Sequence, residues 1–419
     1  MSGGPDRYLF IAPVLDERSV ERFVKVTLPA QLSEGNLGAV PAGRGEYLVC
    51  TRRSQVDVIR ASASWKRLRK MMPAKLRVMG DLPDARAFET PDELLAASYS
   101  RVIRGETDPG TAFVFLSPER LFSDGSFRSL VRRFESGTRA IAVGSVRMTA
   151  DGAVTCVAVH RERKRVECAV PARSLVRHLL DNLHPKAHAH CVVNGRVFAA
   201  EHLYWRVGEH GLLARMFKIH PLALWPRDPG TAAEAGFASR ACPDPADWHV
   251  VTDSDEICAA DFSTVPKGTL NAPPMSDNDF VQFLSRHAGP EFNRYVACSL
   301  RFHTADASGA EWAGVEAQAD GFVNRLQAMF GSSRNLGANP AAASLDRNEA
   351  SVGRLIRSGL AAPFWFLNRL LNYRLYHNLD RMNAEIIQMR ARLHDTRSQL
   401  ANALGRVERS EATEPSVRV

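Results

Sequence analysis

The chain has no apolar run approaching the eighteen or more residues that cross a bilayer as a helix. Its N-terminal MSGGPDRY lacks the basic and apolar regions of a secretory leader. Together these absences give the expectation of a cytoplasmic protein. No CxxC pair occurs, and the seven cysteines fall at irregular spacing. Neither a disulfide framework nor a cysteine-based zinc site is expected, and the thiols read as core residues. GxGxxG is missing after the first apolar run and GxxxxGK[ST] throughout, which leaves NAD-type and P-loop nucleotide binding without support. The usual nucleic-acid-binding patterns are absent too, so nucleic acid is not an expected partner.

What is present is ordinary globular composition over 419 residues, 45% hydrophobic and 24% charged, enough for one large or two medium domains. The net charge of +8 is uneven: residues 351–419 hold 11 Arg against 6 acidic residues, so 11 − 6 = +5 of the surplus lies there. A second basic cluster, His160–Glu167 (HRERKRVE), stands between the β-like runs Val154–Val159 and Val166–Val170. The pattern predicts a hairpin with a charged tip. Basic clusters of this kind attract phosphates, whether of lipids or of nucleotides.

The chain is organised around Thr111–Arg133. AFVFLS is a buried-strand run that ends at Glu119, and Ser123-Asp124-Gly125-Ser126 is expected to cap a helix starting near Phe127. Such a strand carries a carboxylate to its C-terminal end, the edge where open parallel α/β sheets bind ligands. Further strands are predicted at Tyr8–Leu15, Tyr47–Thr51, Leu76–Met79 and Ala140–Val146, with helical spacing after each of the first three, including a helix from about Asp92 to Arg104 with Thr90 and Pro91 as its cap and first turn. Alternating strands and helices imply a doubly wound, mainly parallel sheet over the first 150 residues.

The segments 8–37, 114–143 and 212–228 carry a resemblance. YLFIAPVLDERSVERFVKVTLPAQLSEGNL, VFLSPERLFSDGSFRSLVRRFESGTRAIAV and LLARMFKIHPLALWPRD look like bacterial glycosyltransferase-like proteins of the GT-A fold, the nucleotide-diphospho-sugar transferase class, over roughly residues 7–330. The resemblance implies a nucleotide-sugar donor, a glycan or lipid-linked acceptor, and Mg²⁺ or Mn²⁺. That fold normally places an Asp-x-Asp motif where this chain reads Ser117-Pro118-Glu119, so one carboxylate remains. Glu119, Asp124 and His220 are the candidate metal ligands; if Asp124 only caps the helix, arginines or the helix N-terminus must meet the phosphate charge. Asp16, Thr51, Arg52, Lys218 and Arg227 are candidates for holding the donor, although Asp16 and Ser54 also suit plain helix caps. Asp253 and Asp255, in an acidic cluster after the strand-like Trp248–Thr252, are the candidate catalytic carboxylates, with acceptor binding, general-base and metal-binding roles open beside simple solvation.

The implied division is a nucleotide-binding part at about 7–150 and an acceptor part at about 151–330. Within the latter, LHPKAHAH (His184, His188, His190) lacks partners at a zinc-ligating interval and reads as structural. Tyr204 and Trp205 suit core packing or an acceptor wall, and Asn278–Leu284 and Glu311–Met329 read as helices. Composition predicts a linker over 331–350. The aromatic, basic stretch 362–379 suits either a membrane surface or burial against protein. Apolar residues from Leu379 to Val407 step by three and four, the spacing of a coiled coil, from which a homo-oligomer is expected. Residues 411–419 read as disordered. The competing reading is a non-catalytic protein that binds a nucleotide sugar or a partner and self-associates.

Overall fold

The computed structural model describes residues 3–79, 91–106, 108–199, 201–217, 219–228, 237–265, 274–277, 279–281, 283 and 295–337, with the backbone alone at 91–93, 237, 239 and 330–337. Lys218, the linker residues 338–350, the stretch 362–379, the coiled coil and the tail lie outside the described residues, as do Asn278, Gln282 and Leu284 of the helix expected at Asn278–Leu284. Met1–Val265 and Pro273–Ser333 form one compact unit. No described helix is long and apolar enough to cross a membrane.

The fold is mixed α/β with a mainly parallel central sheet. β1 (Arg7–Val14), β2 (Gly45–Thr51), β3 (Ala74–Val78), β4 (Thr111–Phe115) and β6 (Ala140–Val143) follow the expected runs to within a few residues. Two later strands, β10 (Pro221–Leu224) and β11 (Trp248–Val251), complete a seven-stranded sheet of order β11-β6-β10-β4-β1-β2-β3. β10 runs antiparallel between β4 and β6, and the other pairings are parallel.

Both faces of this sheet are covered, which is why β1 is apolar at nearly every position. Tyr8, Phe10, Ala12 and Val14 enter one core with Phe23, Phe127 and Leu130, while Leu9, Ile11 and Leu15 enter another with Val102 and Ile103. The first core rests on α1 (Glu17–Arg22), which passes through a π-helical turn (Phe23–Thr27) into α2 (Leu28–Gln31). α3 (Val56–Ala61) and α4 (Ala63–Met71) follow β2, broken at Ser62, whose hydroxyl caps the second by accepting from the Trp65 amide at 3.2 Å. α5 (Pro91–Ile103) precedes β4 on the opposite face.

The expected strand at Ala140–Val146 is two strands in different sheets. β6 ends at Val143, Gly144 intervenes, and β7 (Ser145–Thr149) joins β5 (Arg120–Phe122) and β12 (Ala259–Ser263) in a sheet of order β5-β12-β7. A Cβ on Gly144 would lie 2.8 Å from the Met216 sulfur and 3.1 Å from Leu300, so glycine there eases the close approach of a third sheet. That sheet is β13-β9-β8, made of β8 (His202–Val207), β9 (Gly211–Met216) and β13 (Leu300–His303).

The predicted hairpin is not formed. Its first half is α7 (Ala150–His160), whose N-cap Thr149 accepts from the Gly152 amide at 3.2 Å, with Asp151 in the first turn. The valines suggested a strand, but Ala150, Ala153, Cys156 and Val157 are buried at helical spacing and tertiary packing prevails. α8 (Ala172–Asp181), α9 (Pro185–Ala189) and α10 (Phe237–Ala241) follow. The helix expected at Glu311–Met329 is longer: α11 (Gly309–Gly337) continues through the first seven residues assigned to a linker.

Candidate functional site

Three neighbouring strands of the central sheet open at one edge. β4 and β6 present their C-terminal ends there, and β10, running the other way, presents its start, preceded by His220. Beyond this edge the chain of β4 continues through Glu119 into β5, and that of β6 through Gly144 into β7. Side chains from β5, β7, β8 and β12 therefore gather at the place where a parallel sheet binds ligands.

The centre of the cluster is Asp261 on β12. Its carboxylate accepts from Arg120 Nε and Nη2 at 2.7 and 3.2 Å and from the Ser145 hydroxyl at 2.7 Å. Burial alone would raise its pKa, but Arg120 and Arg147 outweigh that and hold it down at about 2, so Asp261 is a fixed anion. Arg147 on β7 is half-buried and acts through space on Asp261, Tyr204, His190 and His202. It makes no side-chain hydrogen bond or ion pair with any described residue, which distinguishes it from Arg120.

An imidazole cluster stands beside these arginines. His202 lies 5.3 Å from His190 and 6.1 Å from Tyr204 between ring centroids. Burial, with His190 and Arg147 adding to it, lowers the His202 pKa to about 3, so the ring is neutral at physiological pH. Its Nδ1 is buried and has no hydrogen-bond partner among the described residues. An orphaned polar atom beside an unpaired cation is a local arrangement that a polar anionic ligand would complete.

The candidate metal ligands stand apart. Glu119 pairs with Arg22 of α1, whose guanidinium also lies 5.8 Å from the centre of the Phe262 ring. Asp124 Oδ1 accepts the Gly35 amide at 2.8 Å. His220 is exposed ahead of β10. Among the described residues, these three do not form a group of ligating atoms within reach of one another. As arranged they do not fit a hard divalent ion, which needs several converging oxygens.

Nor does the helix after β5 offer its N-terminus. α6 (Ser126–Glu135) is not capped by Asp124: its N-cap is Gly125, at φ 88°, with no side-chain cap of its own. Asn36 Oδ1 accepts the Phe127 amide, Gly35 O the Arg128 amide and Ser123 O the Ser126 amide, so the orphan donors that would bind a phosphate are occupied.

The remaining candidates also have partners. Asp16 caps α1, accepting from the Ser19 amide at 2.7 Å while its own amide donates to Ser19 Oγ at 3.0 Å. The fully buried Thr51 hydroxyl donates to Val14 O at 2.7 Å across the β1–β2 pair. Arg52 precedes a 3-10 turn (Arg53–Gln55) at the end of β2, and Arg227 faces Asp247 at 3.6 Å. Asp253 meets His303 Nε2 at 3.2 Å, and that hydrogen bond, against desolvation, lowers its pKa. Asp255 binds Arg173 through both oxygens, and Arg173 reaches Asp306 as well. Their neighbour Glu256 lies between His249 (3.1 Å) and Arg133 (2.5 Å). Its pKa is held at about 2 by these two partners in spite of burial. The acidic loop thus ties together β13, α8 and α6.

Sequence reasoning missed Arg120, Ser145, Arg147, His202 and Asp261. No local signal marks them: Arg120 and Asp261 are 141 positions apart, and the β5–β12 register brings them together. His184 caps α9 by accepting from the Lys186 amide, and His190 belongs to the imidazole cluster.

No protein-family model matches the chain, and no curated protein matches it either. Among solved structures it is similar to the mannosyltransferase PcManGT from Pyrobaculum calidifontis in complex with GDP-Man and Mn²⁺, at 13% identity over 83% of this chain and 82% of that one, TM-score 0.31. It is also similar to a putative glucose-1-phosphate thymidylyltransferase from Bacillus anthracis in complex with a sucrose, at 14% identity over 35% of this chain and 56% of that one, TM-score 0.20. Likenesses this slight carry no argument about activity, which rests on the site.

Proposed function

We propose that the chain is a nucleotide-sugar-utilising protein of glycosyltransferase type, which takes the donor diphosphate at the β4–β10–β6 edge and transfers the sugar to a glycan or lipid-linked acceptor. The supporting observation is Arg147: a half-buried guanidinium with no ion-pair partner among the described residues, at the ligand-binding edge of a parallel sheet. In this reading Arg147 meets the diphosphate, with Arg120 positioned by Asp261 behind it and His220 at the rim. Preorganised cations can stabilise a leaving diphosphate without proton transfer. The base and ribose lie toward Asp16 and Arg52, and Asp253 or Asp255 faces the acceptor; Arg227, which follows β10 at the opposite edge of the sheet and pairs with Asp247, takes no part.

Binding without transfer is the second reading, favoured by one observation: Glu119, Asp253, Asp255 and Glu256 each have a basic partner, so none stands ready as a base. Calorimetric titration with UDP, GDP, CDP and dTDP, in EDTA and in Mn²⁺, tests the site. One nucleotide should bind in EDTA, and Arg147→Ala should weaken it at least tenfold. Binding to none of them, or equal binding by the variant, would overturn the assignment. Release of nucleoside diphosphate from the matching nucleotide sugar separates transfer from binding.

A further inference from the structure

Away from that edge, Cys156 and His160 lie four residues apart on α7, and His178 on α8 faces them. We infer that these three side chains form a binding site for one zinc-type transition-metal ion, a function distinct from nucleotide-sugar use. The thiol sulfur and one nitrogen from each imidazole all lie within 4.8 Å of one another. Ligand atoms around a tetrahedral zinc, at bond lengths of about 2.0–2.3 Å, are separated by roughly 3.5 Å. The gap to that separation is about an ångström.

The i,i+4 spacing puts Cys156 and His160 on one helix face, and the packing of α7 against α8 supplies the third ligand. The two rings meet edge to face, with centroids 5.5 Å apart. His160 Nδ1 lies 2.8 Å from the Cys156 carbonyl oxygen. A carbonyl only accepts, so Nδ1 carries the proton and Nε2 keeps its lone pair, the arrangement by which backbone carbonyls orient metal-binding histidines. Both histidines are half-buried, within reach of solvent.

The donor types select the ion. A thiolate with two imidazoles suits zinc and similar metals and suits magnesium or calcium poorly. Cys156 is buried, and its ligating form is the thiolate. Binding at this thiol releases one proton to solvent: the S–H bond breaks as the S–metal bond forms. The Cys168 thiol, nearby, is committed to the Val157 carbonyl at 3.4 Å and is not counted as a ligand.

Titration of the reduced full-length chain with Co²⁺, followed by Zn²⁺ competition against a chromophoric chelator, tests the site. One cobalt per chain should give a thiolate-to-metal charge-transfer band, absent in Cys156→Ser. His160→Gln and His178→Gln should each weaken zinc binding at least tenfold, and zinc should raise the melting temperature of the parent but not of the double histidine variant. Because Cys156→Ser alters a buried position, the half-buried histidines provide the decisive variants. No charge-transfer band in the parent, or unchanged zinc affinity in the double histidine variant, would overturn the proposal. Neither readout depends on nucleotide binding or sugar transfer.

Discussion

Asn36 and Phe127 are 91 positions apart, yet Asn36 Oδ1 accepts the Phe127 amide at 3.1 Å, so the cap of α6 comes from the loop after α2. The same side chain donates from Nδ2 to Ala30 O and Ser123 O, both at 3.0 Å, and is fully buried. One amide thereby joins two β–α units. Removing it leaves the Phe127 amide without its partner, at roughly 1–3 kcal/mol, and takes one of two donors from each carbonyl, since Ala30 O keeps the Ser33 amide and Ser123 O the Ser126 amide. Asn36→Ala should destabilise the protein by about 3 kcal/mol in urea denaturation. Asn36→Asp should recover little of this, since it keeps the acceptor, loses both donors and buries a charge.

Gly35→Ala probes the same junction sterically. A Cβ there would lie 2.5 Å from both Asp124 Oδ1 and the Gly125 backbone nitrogen. Backbone cannot yield as a flexible side chain does, and a loss of about 2 kcal/mol or more is expected. Gly144→Ala, which meets the flexible Met216 side chain first, should cost less in the same assay.

Stability should fall in mild acid because of His202. Its folded pKa of about 3 lies below the ordinary 6.5, so the unfolded chain takes up the proton first as pH drops. The folded state loses ground progressively from about pH 6.5 toward 3. His202→Gln should flatten denaturation midpoints measured between pH 7 and 5, where the parent declines.

Glu256 governs a lower window. Its pKa is depressed from 4.5 to about 2, so its contribution is fully present above 4.5 and is lost as pH falls toward 2. After allowance for solvent screening this amounts to about 2 kcal/mol. Glu256→Gln should lower stability at pH 7 by that order and narrow the difference from the parent at pH 3.

The basic pair at the edge divides into two roles that substitution should separate. Arg147→Ala removes a cation with no described ion-pair partner and should leave the melting temperature within about 2 °C of the parent. Arg120→Ala strands the Asp261 carboxylate and should lower it by several degrees, corresponding to the roughly 3 kcal/mol of a broken buried pair.

Much of the central sheet was legible because β1, β2 and β4 are buried on both faces and read as continuous apolar runs. The α7 segment was not, since Val154, Thr155, Val157 and Val159 favour strands intrinsically and only packing overrides them. The break at Gly144 was invisible for a related reason: its cause is Met216, more than seventy residues later. Asp16, Glu119 and Asp253 were found as acidic residues at strand ends, but a sequence cannot show that Ser19, Arg22 and His303 already engage them. Arg120, Arg147, His202 and Asp261 escaped because their proximity exists only after three sheets have packed.

The position of β10 and β12 also sets an order in time. β4 and β6 are synthesised early but do not pair with each other; they await β10, whose first residue comes 78 positions after the last of β6. At about 5–20 residues per second, synthesis leaves their unmatched edges open for on the order of ten seconds. β5 and β7 wait longer, until β12 arrives with Asp261. Until β12 arrives the nascent chain carries a half-built sheet, and its open strand edges are the surfaces most exposed to aggregation.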